Sequence, residues 1–160
     1  MNSVIQEYPS SFLASLGTVL SSIEKWAMSV GLKIVKSEIS ITEEACGTYS
    51  APKLSILNSS GTELAEVIPV GASILGANGR IDIKGTYDKV IIVDLNIGGP
   101  SMTTTVTVGD HKEAHTKHFY RGIDEAGWYW IESKISGKGH KLTSELFFEL
   151  LAEVSDYERQ

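Results

Sequence analysis

At 160 residues, 42% hydrophobic and 21% charged, the chain has the size and make-up of one globular domain, which excludes a disordered tail or a fibre. A formal net charge of −6 argues against a duplex nucleic-acid binder, whose surface must attract phosphate. Cys46 is the single cysteine, so a reducing, cytoplasmic setting is expected; the opening MNSVIQEYPSSFLASLG lacks a basic leader, and no apolar run approaches the ~18 residues of a membrane span.

The first element in chain order is a helix. Phe12, Leu16, Val19, Leu20, Ile23, Trp26, Ala27 and Val30 recur at three- and four-residue steps, with Ser10 or Ser11 placed to cap the start and Gly31 the end. The pattern then changes. LKIVKSEISI, APKLSILN, TELAEVIPV, GRIDIKG, DKVIIVDL, MTTTVTV and GWYWIESKI are short runs rich in β-branched and aromatic residues. Turn-forming breaks at Asn58–Gly61, Gly85–Asp88 and Asp124–Gly127 suit hairpins, and hairpins mean antiparallel pairing. The closing stretch is again helical: Thr143 is placed to cap it, and Leu146, Phe147, Leu150, Leu151 and Val154 form its stripe. The expectation is a single α+β domain over residues 1–160, an antiparallel β-meander of about six or seven strands with both terminal helices packed on one face.

Three segments raise the question of chemistry. His111, His115 and His118 crowd into GDHKEAHTKHFY. The zinc-protease pattern HExxH needs Glu directly after the first His, where Lys112 stands, and the flanks read as strand and turn rather than helix. The segment is therefore read as a solvated loop, with no metal site. The triplets Asp82-Ile83-Lys84 and Glu132-Ser133-Lys134, with Glu66 or Asp124 upstream, loosely fit a metal-dependent nuclease or hydrolase, in which acids hold Mg²⁺ and the lysine positions water. Half-buried strands produce the same acidic-x-Lys spacing by alternation alone. Finally, ISGKGHKLT precedes the closing helix but fails the phosphate-loop pattern, and no GxSxG, CxxC or GxGxxG occurs. No motif matches a known family closely enough to carry residues across.

GWYWIESKI carries the functional expectation. Read as one continuous strand, it puts Trp128, Trp130, Glu132 and Lys134 on one side, and the charged pair marks that side as the wetter one. On the same reading Ile81 and Ile83 point inward with Arg80, Asp82 and Lys84 outward, Met102, Val106 and Val108 point inward, and Val90 and Ile92 lie on the outer face. The expectation is a non-catalytic, cofactor-free interaction module that binds a protein partner or itself through Trp128, Trp130, Glu132 and Lys134, with neither nucleic acid nor membrane as partner. The alternative is the metal-dependent hydrolase. A small-ligand cavity is a third reading, permitted by Gly71, Gly76 and Gly79.

Overall fold

The structure is a computed structural model that describes residues 3–72, 76–133 and 135–158, with side chains from residue 9. Helix α1 spans Ser3–Ser29, and strands follow at β1 Lys33–Glu43, β2 Gly47–Leu57, β3 Glu63–Gly71, β4 Gly79–Gly85, β5 Lys89–Leu95, β6 Ser101–Val108, β7 His111–His118, β8 Gly127–Ile131 and β9 Gly139–Lys141, closed by α2 Ser144–Val154. Seven strands form one antiparallel sheet in the order β1-β2-β3-β4-β5-β8-β9, and β6 and β7 form a separate two-stranded ribbon. This is the α+β meander with terminal helices that the sequence implied.

Both helices cover the same face of the sheet. Phe12, Leu16, Val19, Leu20, Ile23 and Ala27 of α1 and Phe147, Leu150, Leu151 and Val154 of α2 are buried, against Leu54, Ile56, Val67, Ile81, Ile83, Val90 and Ile92 of the strands. Each such side chain stabilises the fold by roughly 1.5–3 kcal/mol relative to exposure. Trp26 of α1 packs its ring on Phe147 of α2 at 5.8 Å between centroids. Thr143 caps α2, accepting from the Leu146 amide at 3.2 Å. The Asn58–Gly61 break is a tight turn held by the Asn58 side chain, which accepts from the Ser60 and Thr62 amides. At the far end of the first hairpin, the Glu43 carboxylate accepts from the Ala72 amide at 3.0 and 3.2 Å and from the Tyr49 hydroxyl. Gly85 makes the closest approach of sheet to helix: a Cβ there would lie 2.1 Å from the Val154 carbonyl oxygen.

Several expectations are corrected. Helix α1 runs through Pro9, so Ser10 and Ser11 lie inside it rather than capping it, and Val30 falls beyond its end. Serine is tolerated in a helix interior, so its presence permits a start without requiring one. Asp124–Gly127 leads into β8 but is not a hairpin turn, because β8 pairs with β5 and not with the strand before it. Val90 and Ile92 face the helices, not the outer side. Met102, Val106 and Val108 point into no core, because β6 belongs to the ribbon and is exposed throughout.

Candidate functional site: the β6–β7 ribbon and its base

Trp128 and Trp130 do not form an outer aromatic face. Trp128 is 8% exposed and belongs to the main core, and Trp130 packs against that core beside His140, with ring centroids 5.5 Å apart. The opposite side of β8 carries Tyr129, buried with Leu95 and Ile123 in a smaller cluster. Inside and outside are thus reversed at this strand, and the cause is local. Strand β8 ends at Ile131, so Glu132 stands in the following loop and its charge says nothing about where the tryptophans point. Glu132 is exposed, 3.7 Å from His140, and Lys134 lies outside the described residues.

Beneath Trp128 a polar relay crosses the core. The Trp128 Nε1–H donates to Ser15 Oγ at 3.1 Å, and the Ser15 hydroxyl donates to Asp94 at 2.8 Å. Burial pushes the Asp94 carboxyl above the usual carboxylate range, partly offset by the Ser15 hydrogen bond. The relay ties α1 to β5 and β8.

On the outer face β4 reads as expected, with Ile81 and Ile83 inward and Arg80, Asp82 and Lys84 outward. The acids there are turned onto cations. Asp82 accepts from Arg80 at 2.8 and 3.1 Å with Lys89 at 3.6 Å, and Glu66 pairs with Lys53. Glu66 sits opposite Lys84 in the register and Asp82 opposite Ile68. Asp124 stands in the coil before β8, apart from that register. Gly79 is filled from above by the Phe12 ring, Gly71 lies under Glu43, and Gly76 is closed by Pro100, so these glycines serve close packing rather than a ligand hollow. Among the described residues no three or more His, Cys, Asp or Glu side chains gather to hold a metal ion, and no helix is long and apolar enough to cross a membrane.

The histidine segment is strand, not loop. His111–His118 is β7, paired residue for residue with β6 from Val108↔His111 to Ser101↔His118 around a Gly109–Asp110 turn. Gly109 has φ +60° and Asp110 has no positive φ, the pattern of a type II′ hairpin. All sixteen strand residues are exposed. One side of the ribbon carries Met102, Thr104, Val106 and Val108 beside His111, Glu113, His115 and Lys117, and the other carries Ser101, Thr103, Thr105 and Thr107 with Lys112, Ala114, Thr116 and His118. Glu113 reaches His111 at 3.3 Å and His115 at 3.5 Å. Strand spacing nevertheless separates the backbones of those histidines by ~14 Å, a poor start for sharing one ion.

The ribbon's base is fastened to the body. The His118 Nδ1–H donates to the Gly98 carbonyl at 3.0 Å, Phe119 N to Pro100 O at 3.0 Å, Gly98 N to Ile123 O at 2.7 Å and Arg121 N to Gly137 O at 2.7 Å. Around it Ile97, Phe119 and Ile135 are exposed. The ISGKGHKLT segment takes part: it supplies the short strand β9 and the Gly137 carbonyl that accepts from Arg121. The available signal for the ribbon was two eight-residue runs flanking Gly109–Asp110, the first rich in Thr and Val.

Comparison with family models, curated proteins and solved structures found no match for this chain.

Proposed function

We propose that the chain is a non-catalytic protein-interaction module that docks through the β6–β7 ribbon. The observation that supports this most directly is that all sixteen strand residues are exposed, Val108 at 72% and Met102 at 58% among them. An isolated two-stranded hairpin is marginal in water and presents unpaired backbone on both edges. A chain that holds such an element out from its body, fastened at the base, offers it for backbone pairing with another strand. Trp128, buried, and Trp130, partly buried, then belong to the platform, and Glu132 stands just past β8, ahead of Gly137, whose carbonyl accepts from Arg121 at the ribbon's exit. The cationic partners of Asp82 and Glu66 favour this over a metal-dependent hydrolase. A reducing compartment, suggested by the lone Cys46, is part of the proposal.

The test is a photo-crosslinking residue placed at Thr105 in the producing cells, with exposed Ser21 on α1 as control. A protein adduct from position 105 and none from position 21 is expected. No adduct at 105, or equal labelling at both, would overturn the reading.

A further inference from the structure

The two edges of the ribbon are chemically different. In an antiparallel pair, alternate residues bond to the neighbour and the rest aim N–H and C=O away from it. The two-residue turn closes with Val108 and His111 bonded to each other, which assigns Met102, Thr104, Val106 and Val108 to the bonds with β7. Ser101, Thr103, Thr105 and Thr107 therefore aim their backbone groups at open solvent. On the other strand, Lys112, Ala114 and Thr116 do so. Edges that are meant to stay single carry charge, lysine above all. Strand β7 has Lys112, Glu113 and Lys117; β6, SMTTTVTV, has no charge at all and is built from strand-forming residues.

From this asymmetry we infer that β6 pairs with β6 of a second copy, antiparallel about a two-fold axis through Thr104. The inference rests on the docking reading above and names its occupant. The self-pairing brings no charge against its like, although each chain carries a net −6. The register follows from satisfaction. Centring on Thr104 sets Ser101 opposite the other copy's Thr107 and Thr103 opposite its Thr105, so every outward N–H and C=O of β6 finds a partner, about eight hydrogen bonds in all. Any shift leaves one end of the strand unsatisfied. Met102 then lies opposite Val106 in the closely spaced pairs, on the same side as Thr104. The product is a four-stranded sheet in place of two marginal ribbons.

Geometry at the ends agrees. Antiparallel pairing sets the tip of each ribbon beside the base of the other, leaving the two bodies at opposite ends and out of each other's way. The tip residue Val108 meets Pro100 and the exposed residues around it. Ile97, Met102, Val106, Val108, Phe119 and Ile135 range from about half to fully exposed. Met102, Val106 and Val108 lie on the paired strand itself, so the second copy covers part of this apolar surface.

Two measurements on the purified full chain test this. Sedimentation velocity over a wide concentration range should show a dimer. Thr105→Pro removes one outward N–H of β6 and none of the ribbon's internal bonds, and should raise the dimer dissociation constant at least about tenfold with the circular dichroism of the fold unchanged. Ala114→Pro, the matching change on the β7 edge, should leave the dimer intact. In a Cys46→Ser background, Thr104→Cys should oxidise to a disulfide-linked dimer, because residues on the two-fold axis face each other at disulfide range. Thr107→Cys should not, since its symmetry mate lies roughly 20 Å away. A monomer at every concentration, a dimer indifferent to Thr105→Pro, or cross-linking at 107 and not 104 would each overturn the β6 dimer. If the purified chain is monomeric while position 105 cross-links a different protein in cells, the docking reading stands and the self-pairing falls.

Discussion

Trp128→Ala is the sharpest test of how β8 is oriented. The indole is 8% exposed, sits in the main cluster with Phe12 and Leu142, and donates to Ser15 Oγ at 3.1 Å. Truncating a buried aromatic to Ala costs about 3–5 kcal/mol through lost transfer energy and the cavity left behind. The lost hydrogen bond accounts for about 1 kcal/mol of that, because Ser15 keeps its bond to Asp94. Against a total stability of about 5–15 kcal/mol, this is about a fifth of the reserve or more. Trp128→Phe keeps most of the ring and loses the donor, for an expected cost of about 1–2 kcal/mol. Urea unfolding followed by far-ultraviolet circular dichroism reads both, as a fall in midpoint at constant slope. A Trp128→Ala midpoint equal to wild type would refute the assignment and restore an outward-facing tryptophan pair.

Two further outcomes follow from particular contacts. Gly85→Ala should cost about 1–3 kcal/mol, since the new methyl lands on the Val154 carbonyl, whereas Gly17→Ala, on the exposed side of α1 with nothing within 4 Å, should gain about 0.5–1 kcal/mol; thermal melts that rank the two alike would contradict the packing of α2. Because burial raises the Asp94 carboxyl, the folded state holds that proton more tightly than the unfolded chain. Its contribution is therefore present below the ordinary carboxylate pKa of about 4 and is lost as pH rises through the folded value. Asp94→Asn, which still accepts from Ser15, should gain stability relative to wild type as pH rises from about 4 to neutral, and a pH-independent difference in urea midpoints would rule this out.

The body of the fold was legible where burial imposed a period. Ile81 and Ile83 alternate with Arg80, Asp82 and Lys84 because one side of β4 meets α1 and α2, and Thr143 announces α2 because a helix start needs an acceptor. Strand β8 misled because its charged neighbours lie past its end, and because its reverse side is also covered, by Leu95 and Ile123. Both faces are apolar there, so alternation carries no direction. The ribbon was half legible for the opposite reason. With no core on either side of HKEAHTKH, nothing selects an alternation, and only the turn and the equal run lengths mark a strand. Strand β9, three residues long, is too short for any period.

Strands β5 and β8 are neighbours in the sheet although thirty-one residues separate them in the chain, and the ribbon makes up most of that excursion. Bringing two chain segments together across a long flexible loop costs entropy that grows with the logarithm of its length. Once the ribbon has zipped, only the thirteen residues 96–100 and 119–126 remain as open loop, which lowers the closure cost by about 0.8 kcal/mol. Hairpins form from local contacts in microseconds, well before distant strands meet. An arm that touches none of the core thus shortens the path by which the core's last strands find their place.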